Sequence, residues 1–177
     1  MKRGRSLRER MRLKIKQLSE CPEHLDAVGR WIYDQWWRTP DNSPEVVLSL
    51  LRTHTEKDII PLTIVALEDD TPVGSCCIIE NDCVHRPQYT PWVAAVFVKE
   101  ELRCRGVASR ILKEASRAAK RGNLKGLYID CHVKTARVYE KNGWNVLERE
   151  VGDKDSIVMF QAIESEPVSS GDIMLRV

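Results

Sequence analysis

The sequence predicts a single α/β domain in which helices flank one sheet. Three observations carry that prediction. The apolar, uncharged run Trp92 to Val98 reads as a buried strand, and it passes through a basic, glycine-containing turn into an amphipathic helix. A second strand-helix-strand block follows between Leu127 and Glu150. The chain has 177 residues, enough to bury one core, with short apolar runs alternating with segments of helical period.

The elements follow in order. Leu13 to Gln17 alternates and reads as the first strand. His24 to Trp37 reads as a helix, with Leu25, Val28, Trp31, Ile32 and Trp36 apolar. Trp31 and Trp36 fall at core spacing, so both are expected to pack inward. Ser43-Pro44-Glu45 is a helix start, with serine at the cap and proline at the first helical position, and that helix runs to about His54. Leu62 to Leu67 is a strand, Glu68 to Pro72 a turn, and Val73 to Glu80 the hairpin partner. A polar loop bracketed by proline, Asp82 to Pro91, leads into the Trp92–Val98 strand.

The helix after that strand, Gly106 to Lys120, carries Val107, Ala108, Ile111, Leu112, Ala115, Ala118 and Ala119 on one stripe. Lys120 and Arg121 fill its last turn and Gly122 stops it. Leu127 to Asp130 is a strand. His132 to Lys141 is a helix ending at Asn142-Gly143, and strands near Trp144–Glu150 and Ser156–Gln161 close the domain.

The turn ahead of the long helix points to a ligand. The first N–H groups of a helix lack intrahelical partners and carry a partial positive charge, which makes an anion site. Gly106 lets the backbone approach a ligand closely, since it has no Cβ. One glycine is too few for the dinucleotide fingerprint, and no Gly-Lys-Ser or Gly-Lys-Thr marks a P-loop.

The spacing Arg103-x-x-Gly106-x-Ala108 resembles the R/Q-x-x-G-x-G/A turn of the GNAT family of acyl-CoA N-acyltransferases. The stretch Thr135 to Trp144 is similar to that family's A-x-x-x-Y-x-K-x-G-F block, through Tyr139, Lys141, Gly143 and Trp144. Two positions depart from it: His132 stands where the family usually has Asn, and Thr135 where it usually has Ala. The resemblance runs from about residue 12 to about residue 161. It implies a central mixed, mostly antiparallel sheet, splayed at the middle and flanked by helices.

The resemblance also implies a chemistry: transfer of an acetyl group from acetyl-CoA to a primary amine by direct attack in a ternary complex. Val96, Phe97 and Val98 map to the strand whose free backbone groups hold the pantetheine arm. Arg103, Cys104, Arg105, Gly106, Val107, Ala108 and Ser109 map to the pyrophosphate site. Tyr139 maps to the proton donor for the leaving thiolate, a fitting role because a phenol pKa of about 10 lies near the thiol's 8.5. Glu80 is the leading general base, with Asp82, His85 and His132 as the other candidates. Trp37 and Trp92 are the expected acceptor-cleft aromatics, with Tyr89 a further candidate. Asp34, Asp41 and Glu45, on the first two helices, are placed to attract a cation. A small-molecule amine is the favoured acceptor. Alternatives are a protein or peptide amine, or a coenzyme A-binding module that does no chemistry; Tyr139 speaks against the module.

Composition limits the other classes. No apolar run reaches the 18 or so residues of a membrane span. The net charge of +2 is too small to imply a polyanion partner for the whole chain. Residues 1–16 are strongly basic, from Lys2 to Lys16 with only Glu9 opposing, and such an arm can bind nucleic acid. The plainer reading divides the chain into a basic leader (1–10), one domain (11–162) and a C-terminal tail (163–177). Six cysteines without a C-x-x-C pair argue against a zinc site and for reduced thiols in a cytoplasm. Cys104 and Cys131 fall near the expected cofactor, yet amine acetylation needs no covalent intermediate. A homodimer is compatible with the sequence.

Overall fold

The computed structural model describes residues 12–164. The basic leader and nearly all of the tail lie outside the described residues. The strands are β1 (Leu13–Gln17), β2 (Leu62–Glu68), β3 (Thr71–Ile79), β4 (Trp92–Val98), β5 (Gly126–His132), β6 (Asn145–Arg149) and β7 (Ser156–Ala162). The helices are α1 (Leu25–Ile32), α2 (Pro44–Leu51), α3 (Val107–Arg121) and α4 (Ala136–Glu140). The strands form one seven-stranded sheet in the order β1-β2-β3-β4-β5-β7-β6. Every pairing is antiparallel except that of β4 with β5. The expected mixed, mostly antiparallel sheet with flanking helices is therefore present.

Both faces of the first half-sheet are covered, which explains the near-continuous apolar runs of β2 and β3. One face carries Ile64, Ala66, Cys76, Ile78 and Val93 against the α3 stripe of Val107, Ile111, Leu112, Ala115, Ala118 and Ala119. The other carries Val65, Leu67, Cys77 and Ala94 against Val28 and Ile32 of α1 and Val47 and Leu51 of α2. The adjacent thiols Cys76 and Cys77 thus face opposite layers, as strand alternation requires. Burying Ile111 or Leu112 of α3 contributes roughly 1.5–3 kcal/mol each.

The sheet is interrupted where β4 meets β5. The two share one register pair, Trp92 with Tyr128, backed by the Tyr128 N–H to Pro91 carbonyl bond of 2.9 Å. Beyond it they part. β4 also bulges: Ser75 to Cys77 of β3 spans Phe97 to Ala94 of β4, and Ala95 adopts a left-handed φ of 50°. A bulge leaves a residue out of the ladder and bends its strand. The backbone of Ala95 to Val98 therefore faces the gap without a neighbour on the β5 side.

Three local expectations differ. The helix expected over residues 24–37 holds its α form only through Ile32, and Tyr33–Trp37 form a wide π turn. The wider turn breaks the 3.6-residue phase, so Trp36 emerges 48% exposed instead of packing inward. Trp31, before the change, is half-buried and stacks on Phe97 at 4.9 Å. Ser43 sits at the α2 cap with Pro44 following, but its side chain makes no capping bond. The helix expected over His132–Lys141 is a 3-10 turn, Val133–Thr135, followed by α4.

Candidate functional site

The parting of β4 from β5 opens a cavity of about 910 Å³. Its walls include Trp36 and Trp37 from the π turn, Glu80 and Asp82 from the loop after β3, Ala95 and Val96 from β4, Asp130 and His132 from β5, and Tyr139 from α4. Topology brings these together: the loop after β3 lies at the N-terminal end of β4, and Val93 to Val96 of β4 border the same cavity as Ile129 to His132 of β5.

Tyr139 is 8% exposed and lies edge-on to Trp144. Its hydroxyl has no hydrogen-bond partner among the described residues, yet it is not one of the fully buried orphaned polar atoms, so it opens into the cavity. Burial pushes its pKa well above the ordinary phenol value, with Cys131 and Cys76 adding to the rise. The expected closeness of phenol and thiol pKa is thus corrected. Tyr139 therefore holds its proton at neutral pH and is available as a hydrogen-bond donor.

Glu80 is exposed at the cavity rim. Asp82, two residues on, is reached by solvent but walled by the cleft. That desolvation, with the like charge of Asp130, raises its pKa to about 6. Asp130 is held by the Ser156 hydroxyl at 2.5 Å. His132 caps the turn before α4 by accepting the Lys134 N–H at Nδ1, 3.1 Å, which is the local role an Asn there would fill. Cys131 lines the cavity with its thiol pushed up to about 11 by burial, a poor nucleophile.

Other expected residues lie elsewhere. Trp92 is fully buried among Cys83, Val151 and Val158, and its indole N–H donates to the Tyr89 carbonyl at 2.6 Å. It is a core residue, not an acceptor-cleft one, because the strand turns its side chain away from the gap. Tyr89 stacks on Tyr128 at 4.6 Å and His85 sits over the Gly152 turn, both away from the cavity lining. Asp34 pairs with Arg38, and Glu45 with Arg52, and neither lines the cavity. The negative charge of the cleft comes instead from Glu80, Asp82 and Asp130. Trp37 does line the cavity, at 37% exposure.

The turn continues from the end of β4. Arg103 Nε donates to the Val98 carbonyl at 3.1 Å, so this side chain ties the turn to the strand. Cys104 and Gly106 both take left-handed φ values, 60° and 84°, and Gly106 is the cap of α3. Nothing lies within 4 Å of where a Gly106 Cβ would be, so the space over the helix N-terminus is open. Ser109 accepts from Asn142 Nδ2 at 3.1 Å, joining α3 to the end of α4. Cys104, Arg105 and Ser109 are exposed, Val107 is buried and Ala108 half-buried.

Glu148 of β6 anchors the loop that carries Asp82. Arg86 Nε donates to it at 2.7 Å and the Tyr89 hydroxyl donates to its other oxygen. These partners hold the Glu148 carboxyl below its ordinary value of 4.5, Arg86 first and Tyr89 second. A carboxyl with a depressed folded pKa stabilises the fold above its unfolded value and loses that contribution as pH falls through the folded one. Glu148→Gln keeps the shape without the charge. Thermal melts taken downward from pH 4.5 should therefore fall less steeply for E148Q than for the wild type; parallel curves would show that the tie does not contribute.

The Acetyltransferase (GNAT) family model matches residues 26–144, from α1 to the end of the Tyr139 block. The chain belongs to the GNAT acetyltransferase family. It is an enzyme family, and its donor cofactor is acetyl-CoA. Solved structures share the fold at low identity. A GNAT acetyltransferase from Streptococcus pneumoniae superposes with a TM-score of 0.65 at 15% identity, covering 86% of this chain and 99% of that one. An aminoglycoside 6'-N-acetyltransferase complexed with coenzyme A gives 0.65 at 16%, covering 87% and 99%. An aminoglycoside 6'-acetyltransferase type Ii gives the same values. No curated protein matches the chain. Among the described residues of this GNAT chain, no helix is long and apolar enough to cross a membrane.

Proposed function

We propose that this chain transfers the acetyl group of acetyl-CoA to a primary amine of a small, cationic molecule, by direct attack in a ternary complex. The observation that carries the reading is the single β4–β5 pair at Trp92–Tyr128, beyond which unpaired β4 backbone borders a cavity that also holds Tyr139.

The roles follow from placement. The pantetheine arm takes the backbone groups of Val96, Phe97 and Val98 that β5 does not use, and the N–H of Val98 or a neighbour serves the developing oxyanion. The pyrophosphate takes the open N-terminus of α3 and the turn Arg103–Ser109. Tyr139 donates to the thiolate as it leaves. The amine loses its proton to the Glu80–Asp82 rim, where the raised pKa of Asp82 suits a base near neutral pH.

The acceptor reading rests on the wall chemistry. Glu80, Asp82 and Asp130 line the cavity together with exposed Trp36 and Trp37, and among the described residues no Lys or Arg does. Such a surface suits a small molecule with more than one amine, one neutral for attack and another held as a cation. Two neighbours in fold are aminoglycoside acetyltransferases, which fits an acceptor of that charge. We place the enzyme in the cytoplasm, where its six free cysteines stay reduced.

A thiol-release assay with acetyl-CoA and a panel of amines tests this. Release should be strongest with small diamines and polyamines. Release with peptide amines alone would transfer the role to a protein acceptor. Coenzyme A binding without release for any amine would mark a binding module.

A further inference from the structure

The cavity lining includes His54, a histidine to which the reaction scheme above gives no role. His54 follows α2, its N–H bonded to the Leu51 carbonyl at 3.0 Å, and its side chain lines the cavity although the residue is only 7% exposed. Its Nδ1 is 2.6 Å from the Thr63 hydroxyl, and that hydroxyl is 3.3 Å from the Cys77 sulfur. Thr63 and Cys77 are almost fully buried, at 1% and 4%, and neither side chain has another hydrogen-bond partner among the described residues.

The other ring nitrogen is in a different position. Nε2 has no protein partner among the described residues. It is also absent from the fully buried orphaned side-chain atoms, which are Ser19 Oγ, Ser75 Oγ and Trp144 Nε1. Nε2 is therefore not sealed from solvent, and the residue lines the cavity.

We propose that His54 is a specificity-determining residue of the acceptor cleft: Thr63 holds Nδ1–H, and Nε2 offers its lone pair to an N–H of the incoming amine. The inference rests on the acetyl-transfer reading above and names a residue that this reading leaves out. Each part has a physical reason. Burial alone lowers the His54 pKa to about 4, so the imidazole is neutral at working pH and one nitrogen is an acceptor. With the proton on Nδ1, it donates to Thr63, and Thr63 donates to Cys77; the reverse run, Cys77 to Thr63 to Nδ1, satisfies the same contacts with the proton on Nε2, and it is the amine's N–H donors that favour the first. The lone pair then falls on Nε2, facing a ligand that brings N–H donors. The carboxylates Glu80, Asp82 and Asp130 attract cations with little regard to shape. A fixed, neutral acceptor selects by position without adding charge.

Two substitutions separate this role from mere packing. The side-chain nitrogen of Asn reproduces Nδ1, and the end of Gln reaches the place of Nε2. His54→Asn keeps the Thr63 partner and removes the cleft acceptor. His54→Gln does the reverse. With the best amine from the thiol-release panel, H54N should raise the acceptor KM up to about tenfold, the loss of one hydrogen bond. The KM for acetyl-CoA should not move, and H54Q should stay near wild type. Wild-type kinetics in H54N, or a defect confined to H54Q, would overturn the proposal.

Long-range ¹H–¹⁵N spectra of the wild-type chain give an independent reading that needs neither turnover nor a variant. They should show the His54 proton on Nδ1 and a shift at Nε2 on adding 1,3-diaminopropane. A proton on Nε2 would overturn the assignment. Absent turnover with that nitrogen still responding to the amine would instead count against acetyl transfer alone.

Discussion

Tyr139→Phe should lower turnover by about a hundredfold while leaving the KM for acetyl-CoA within about twofold, because it removes one donor that acts as charge develops on sulfur. The hydroxyl makes no protein hydrogen bond among the described residues, and the ring is held in the core against Trp144. Losing the oxygen therefore breaks no contact and leaves no orphaned partner. Thermal stability should be unchanged or slightly higher, which separates this variant from a folding defect. Burial raises the phenol pKa, so the wild-type rate should show no alkaline loss from Tyr139 ionisation up to about pH 10. Wild-type turnover in Y139F across that range would remove the residue from the chemistry.

Gly106→Val should act on the other end of the donor. At φ 84°, a β-branched residue is strained, at a cost of roughly 1–2 kcal/mol in stability. The Cβ itself meets no protein atom within 4 Å, so the strain is confined to the backbone. The same open space is where the pyrophosphate is proposed to sit, and the valine methyls fill it. Losing one or two hydrogen bonds to a charged group predicts a KM for acetyl-CoA raised about 10- to 100-fold. Turnover at saturating donor should recover most of its value, since Tyr139 and the cleft are untouched. Calorimetric titration with coenzyme A measures the same loss without an acceptor. Equal affinity in the variant would move the phosphate away from this turn.

The elements were legible because local pattern writes them. The α3 stripe, Gly106 ahead of it, the charge-free β4 and the Asp69-Asp70 hairpin all announce themselves within a few residues. The turn and Tyr139 were legible for the same reason, since each belongs to a compact block. The cleft was not, because it is assembled from distant segments. Trp37 and Trp92 look alike as exposed-or-buried candidates in sequence, and only the π turn and the strand direction send one to the cavity and the other to the core. Glu148 anchors a loop some sixty positions earlier, and no local period links it to Arg86 and Tyr89. His54 is a lone histidine after a helix, and its partner Thr63 lies in a strand whose apolar pattern gives no sign of a buried hydroxyl.

In the proposed complex the β4 splay and the α3 turn together hold acetyl-CoA, with its thioester beside Tyr139. An amide ¹H–¹⁵N titration of the full-length chain with coenzyme A tests it most directly. The largest shifts are expected at the N–H groups of Val96 to Val98 and of Arg103 to Ser109, with Tyr139 perturbed next. Shifts confined to other surfaces, with these amides unmoved at saturation, would contradict it.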